Sequence, residues 1–318
     1  MKALRVITPG FLTTIQDIGR TGYLAFGVPP SGAMDWFALH AANRLAGNLP
    51  DAAGLEFTLE APELLAEADC LVAAAGRGFD LWVSGRWVGL WMAAWVRRGE
   101  VIQFSVRPEG GWGYLAVAGG IATEPVLGSR ATYLRGALGG LDGRALQAGD
   151  LLPVGPVRKD CILRAGAYLS ARVQPRYSEL VELLAVPGPQ AEAFREAGQA
   201  VFYASAYQIS PASDRVGYRL TGERVTHSAG ADLLSEGMAP GSVQVPADGQ
   251  PIVMMSDRPT TGGYPKIATV GRASLPLLAQ CQPGLGRVMF RQVSVQAAQQ
   301  AYRCLLASID EGIEYGED

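Results

Sequence analysis

Lysine is almost missing from this chain: of its 27 lysines and arginines, only Lys2, Lys159 and Lys266 are lysine. Histidine is as scarce, with two residues, His40 inside a helical pattern and His227 in a loop-like stretch. That leaves little for a histidine-based metal site or a Ser-His-Asp triad, and neither a G-x-S-x-G elbow nor an H-E-x-x-H pair occurs. The four cysteines, Cys70, Cys161, Cys281 and Cys304, form no C-x-x-C pair, so they read as reduced, mostly buried thiols and not as a zinc site or disulfide framework. Excess positive charge is absent too. A formal charge of −3 supplies no basic stripe for a phosphate backbone, which argues against nucleic acid as a partner. The N-terminus MKALRVITPG lacks the apolar core of a signal peptide, and no apolar run approaches the ~20 residues of a spanning helix. A cytoplasmic protein with no membrane partner is the expectation.

Glycine, by contrast, is abundant, at 40 residues with 20 prolines, while 48% of residues are apolar. That combination describes a packed protein with many turns, not a disordered one. Short strand patterns bounded by Gly, Pro and Asp recur at 2–8, 70–76, 79–91 (a hairpin pivoting at 84–86), 101–106 and 113–121. A second set follows at 180–190, 216–225, 241–255 and 286–294. The chain therefore reads as mainly β with a few helices, in two β-rich halves, residues 1–165 and 166–318, of barrel or sandwich type. Three helices are expected. The first is capped by Asp35 and stopped at Gly47, the second covers 274–280 with Pro276 in its first turn, and the third runs from Ser294 to about Gly312 with Ala298, Tyr302, Leu305, Ile309 and Ile313 on one face. The acidic end DEGIEYGED reads as a solvated tail.

Three polar, glycine-laced stretches stand out: TTIQDIGRTGYLAFGVPPSGAMD (13–35), LLSEGMAPGSVQVPADGQP (233–251) and SDRPTTGGYPKIATV (256–270). The last misses the Walker phosphate loop because Lys266 follows proline, so any ATP used here is not held in a P-loop. A lysine in the densest polar loop of a lysine-poor chain is nevertheless notable, since an ammonium is a compact donor for an anionic oxygen. In the simplest structural alternative, Asp17 pairs with Arg20 and Asp257 with Arg258 only to hold tight turns. Trp82, Trp87, Trp91 and Trp95 are candidates for an interface or for barrel-wall packing.

These stretches, together with AANRLAGN, LEFTLEAPEL, YLAVAGGI and SDRVGYRLTG, resemble the allophanate hydrolase subunit 2 family from about Leu4 to Val295. The family is also called the biotin-dependent carboxyltransferase family and includes the C subunit of bacterial ATP-dependent 5-oxoprolinase. The resemblance implies a cyclophilin-like β-barrel architecture, a sister subunit of the same barrel type (the B subunit) and a third partner (the A subunit). It also implies an amide-activating reaction: ATP-driven opening of 5-oxoproline to glutamate, with carboxyl transfer from biotin to urea, or a regulatory role beside a kinase, as alternatives. The sequence holds no biotin carboxylase region or biotinyl-lysine segment, which favours 5-oxoproline.

On that reading ATP, with Mg, is a co-substrate of the complex, and no bound metal or covalent cofactor is expected on this chain. Lys266, or Arg20 in its place, would stand beside the reacting oxygen. Asp257 or Asp17 would accept the N–H proton or orient the nucleophile. Thr260, Thr261, Gly262, Gly263 and Tyr264 would line the substrate. Gln16, Ser31 and Gln244 would read its carboxylate or amide.

Overall fold

A computed structural model describes residues 2–157 and 160–316. The chain folds as two compact units, one of residues 1–21, 31–175 and 306–318, the other of 22–30 and 176–305.

The first unit is built on two antiparallel sheets. The six-stranded sheet runs in the order Leu151–Pro153, Lys2–Thr8, Glu63–Ala66, Val101–Val106, Phe79–Val83, Arg86–Trp87. The other has seven strands, in the order Leu12–Gln16, Gly54–Thr58, Trp112–Val117, Cys70–Gly76, Met92–Val96, Tyr168–Leu169, Ile313–Glu314. Alternate residues of both sheets enter one apolar cluster, with Leu4, Val6, Leu64, Leu81, Val83 and Ile102 from the first and Leu55, Phe57, Val72, Val96, Leu115 and Val117 from the second. This is the period-2 pattern expected of sheets packed on a shared core. The hairpin turns at Ser84 and Gly85, both with positive φ (45° and 79°), the conformation of a two-residue type I′ turn.

Helix α1, Trp36–Leu45, starts where Asp35 accepts a hydrogen bond from the Ala38 N–H at 2.9 Å and is followed by Gly47 at φ 78°, as its sequence requires. A buried chain of donors fixes this start. The Tyr114 hydroxyl and the Met34 N–H both donate to Glu56 Oε2 at 2.7 Å, and the Asp35 N–H donates to the Tyr114 hydroxyl at 2.8 Å. Burial, and then the Glu56 carboxylate beside it, pushes the Tyr114 phenol well above its ordinary value.

The second unit is a closed seven-stranded barrel. Leu180–Pro187 pairs with Lys266–Val270, which is followed round by Ser242–Gln244, Ile252–Met254, Gly217–Thr221, Tyr207–Ile209 and Arg287–Gln292. The last strand returns parallel to the first, Leu180 opposite Arg287 through Ala185 opposite Gln292, which closes the barrel's edge. A mainly β fold with a closed barrel is therefore what the chain adopts.

Helix α2, Glu196–Ala204, is not among the three expected helices. No side chain caps its start, and it carries Gly198 in its interior, where a Cβ would lie 2.5 Å from the Thr226 carbonyl oxygen. Its stability comes from packing: the Phe202 ring stacks on Phe290 of the barrel at 4.3 Å. Helices α3, Leu275–Ala279, and α4, Val295–Glu311, lie where the pattern puts them. Ile313 is a correction. It leaves the helical face to pair with Leu169 in a short strand, so the segment expected to be a free tail is bonded at Ile313–Glu314, while residues 317 and 318 lie outside the described residues. No helix among the described residues is long and apolar enough to cross a membrane.

Candidate functional site

The two ends of the first polar stretch, residues 13–21 and 31–35, fold into a buried network in the first unit. Asp17 accepts from the Gly19 N–H (2.8 Å), the Ser129 hydroxyl (2.7 Å) and the Arg130 N–H (2.6 Å). The Arg20 guanidinium donates to the Ala131 carbonyl. Gln16 Nε2 and the Ser31 hydroxyl both donate to the Thr132 carbonyl, at 3.1 and 2.8 Å. All four side chains are buried, and Gln16 Oε1 finds no hydrogen-bond donor. The floor is the Gly139-Gly140 turn. A Cβ on Gly140, at φ 59°, would sit 2.1 Å from Thr132 Oγ1, so only glycine allows this approach.

The other two stretches close on each other in the second unit. Glu236–Gly237 and Thr261–Gly262 pair as a two-stranded ribbon, Glu236 opposite Gly262. The Met238 N–H donates to the Thr260 carbonyl (3.0 Å) and the Leu233 N–H to the Gly263 carbonyl (2.7 Å), which extends the join on both sides. Lys266 opens the barrel strand that follows. It is 4% exposed, and its Nζ lies 2.9 Å from Glu236 Oε2. That same oxygen accepts from Gln190 Nε2 at 2.9 Å, and Gln190 Oε1 accepts from the Lys266 N–H at 3.3 Å. Gly188 lets this turn come in: a Cβ there would lie 2.1 Å from the Lys266 carbonyl oxygen. The hydrogen bond from Lys266, and then that from Gln190, hold the Glu236 carboxyl below its ordinary value.

Gln244 is 4% exposed and donates to the Tyr264 carbonyl at 3.1 Å, under the Gly262 backbone. Thr261 and Tyr264 are exposed, and Thr260, Gly262 and Gly263 half-buried. The expected pairing of Asp257 with Arg258 is replaced. Asp257 takes the guanidinium of Arg215 in a two-pronged bond, 2.9 and 3.0 Å, with both residues under 10% exposed. Arg258 instead donates to the Met238 carbonyl at 2.9 Å, and burial lowers its guanidinium to about 10.

Of the residues singled out by sequence, Lys266, Gln244, Thr260, Thr261, Gly262, Gly263, Tyr264 and Asp257 thus belong to the second unit, and Gln16, Asp17, Arg20 and Ser31 to the first. Glu236, Gln190 and Arg215 are additions that sequence reasoning missed. Glu236 sits in a stretch already marked as dense, as the acidic residue on the ribbon that faces Lys266, and Arg215 lies in the SDRVGYRLTG stretch that carries the resemblance; Gln190 carries no local mark. His227 Nε2 lies 2.9 Å from the Val245 carbonyl oxygen, and His40 is half-buried in α1 with its imidazole lowered by burial. Among the four tryptophans, Trp91 is buried against Phe37, and Trp87 is 58% exposed. Among the described residues no group of three or more His, Cys, Asp or Glu stands placed to hold a metal ion.

Comparison with known proteins gives this arrangement a family. The model of the carboxyltransferase domain, subdomains A and B, matches residues 26–292. The chain is 39% identical over 300 residues to the C subunit of 5-oxoprolinase from Escherichia coli, covering 94% of each chain, and 36% identical over 285 residues to that of Haemophilus influenzae, covering 90% of this chain and 89% of that one. It is 31% identical to the urea amidolyase of Lachancea kluyveri, spanning 99% of this chain but 18% of that one. Among solved structures, K. lactis urea amidolyase matches with a TM-score of 0.91 at 28% identity, over 99% of this chain and 20% of that one. TTHA0988 matches with a TM-score of 0.82 at 35% identity, over 92% of this chain and 55% of that one. Matched through both compact units, the chain belongs to the carboxyltransferase domain family, subdomains A and B.

Proposed function

We propose that this chain is the C subunit of a 5-oxoprolinase that uses ATP to open the lactam of 5-oxoproline to L-glutamate, acting with a sister protein of the same barrel type (the B subunit) and a third partner (the A subunit). The observation that carries the reading is the likeness to the E. coli protein, 39% over 94% of both chains, where the amidolyases are matched over a small part of their length. Opening an unstrained amide needs activation. The γ-phosphoryl of ATP moves to the lactam oxygen with release of ADP while the ring nitrogen gives up its proton. Water adds to the carbon of the imidate phosphate, the C–N bond breaks as the nitrogen takes back a proton, and a second water hydrolyses the acyl phosphate left behind to L-glutamate and phosphate.

Lys266 has the chemistry for the charged oxygen in that sequence. A buried ammonium whose position is fixed by the barrel strand stabilises developing negative charge without reorganisation. Exposed Thr261 and half-buried Thr260, on the loop that leads into Lys266, would supply neutral donors. Asp257 and Asp17 have the carboxylates for the proton-accepting role, but each first has to release donors it now holds, Arg215 for the one and Gly19, Ser129 and Arg130 for the other. Mg2+ enters as its complex with ATP.

The test is to co-express the chain with its cognate partners and measure ATP hydrolysis that depends on 5-oxoproline. Turnover of one ATP per glutamate supports the reading. Avidin-sensitive carboxylation of urea instead would favour the carboxyltransferase reading, which the amidolyase likeness keeps in view. Activity of the partners without this chain would make it a binding subunit.

A further inference from the structure

The contact between Lys266 and Glu236 differs in kind from the other ion pairs among the described residues. Arg5, Arg44, Arg107, Arg144, Arg215 and Arg291 all offer a guanidinium to their carboxylate. Here an ammonium is used, and burial is lopsided: the Lys266 side chain is 5% exposed and that of Glu236 is 49%. An ion pair with one half in water adds little to stability. A buried ammonium, however, depends strongly on whatever carboxylate it faces. Glu236 is held at one oxygen, Oε2, which receives both Lys266 Nζ and Gln190 Nε2. It lies on a two-residue strand paired with Thr261–Gly262, so carboxylate and substrate-facing threonine share one ribbon.

We propose that Glu236, held by Gln190, is a positioning residue for Lys266: it keeps the ammonium aimed, and yields it to an anionic oxygen when substrate arrives. The proposal rests on the role given to Lys266 above. The neighbouring elements present to it a carboxylate from Glu236 and a neutral amide from Gln190. An ammonium suits such a transfer because its three donors rotate freely, where a guanidinium would stay locked in a planar fork. Gln190 bridges the Glu236 carboxylate and the Lys266 backbone, so it sets where the carboxylate waits once released.

A readout independent of turnover is at hand because the chain has three lysines. A full-length chain labelled with 13C-lysine gives one Hε–Cε signal for each, and the signal missing from Lys266→Arg belongs to Lys266. In Glu236→Gln that signal is expected to move toward the free-lysine position and to narrow, because the ammonium loses the partner that holds it. In the assembled complex, Glu236→Gln and Gln190→Leu should each lower kcat about tenfold or more, with Glu236→Asp restoring most of the loss. A Lys266 signal that stays in place in Glu236→Gln would overturn the proposal, as would an unchanged kcat in both variants. If the Lys266 signal moves while the parent complex shows no 5-oxoproline-dependent ATP hydrolysis, the positioning contact stands and the assigned reaction does not.

Discussion

The two polar clusters use similar residues to opposite ends. In the first unit, Gln16, Asp17, Arg20 and Ser31 are all under 10% exposed and spend their hydrogen bonds largely on backbone groups of residues 130–132. In the second, Lys266 is as deeply buried but holds a side chain that is half in water. Contacts to buried backbone groups do not change partners without local unfolding; a buried charge facing an exposed carboxylate can. On the reading proposed above, the difference favours Lys266 in the second unit as the group that meets the reacting oxygen. Even within the second unit the division recurs, since the Asp257–Arg215 pair is buried on both sides.

That comparison can be broken at several points. The largest effect on stability is expected from Arg215→Ala, which strands the buried Asp257 carboxylate and should cost the barrel about 3–5 kcal/mol in urea unfolding. A loss below about 1 kcal/mol, the range of a solvent-exposed pair, would mean the contact is not the closed layer described. Next, Gly140→Ala drives a methyl into Thr132 Oγ1 at a φ of 59°. A loss of about 1–3 kcal/mol is expected, read as a lowered Tm with activity of the folded fraction kept. Asp35→Ala removes the cap of α1 and should cost about 1 kcal/mol. The smallest effect is chemical. Burial pushes the Cys70 thiol up to about 12, leaving almost no thiolate at mildly alkaline pH, so a thiol reagent should modify the exposed Cys304 and spare Cys70.

The pH behaviour of the site follows from the same geometry. The Glu236 carboxyl is lowered in the folded chain by Lys266 and Gln190. The pairing is therefore fully present above the ordinary carboxylate range and is lost only as pH falls through the lowered value. Activity limited by this contact should hold flat through mild acid, and a fall beginning near neutrality would point to another group.

Much of this was legible in the sequence, for identifiable reasons. Period-2 alternation marked the strands around Leu4, Leu81 and Val253, and the Asp35 cap with Gly47 marked α1, because such signals are local. Helix α2 was not visible, since Phe202 gains its stability from Phe290, a residue far along the chain. The same limit applies to the site. Glycine density and the rarity of lysine drew attention to Lys266, but Glu236 and Gln190 reach it only through the ribbon and the Gly188 turn. Asp257 invited pairing with its neighbour Arg258, whereas the antiparallel pairing of Gly217–Thr221 with Ile252–Met254 delivers Arg215, whose guanidinium matches the carboxylate at both oxygens.

The most direct test of where the chemistry lies is kcat for 5-oxoproline-dependent ATP hydrolysis by the complex assembled with Lys266→Ala. Loss of about a hundredfold or more, with the thermal midpoint of the chain nearly unchanged, is the predicted result. Activity within a few-fold of the parent would contradict the account and return the search to the cluster around Asp17 and Arg20.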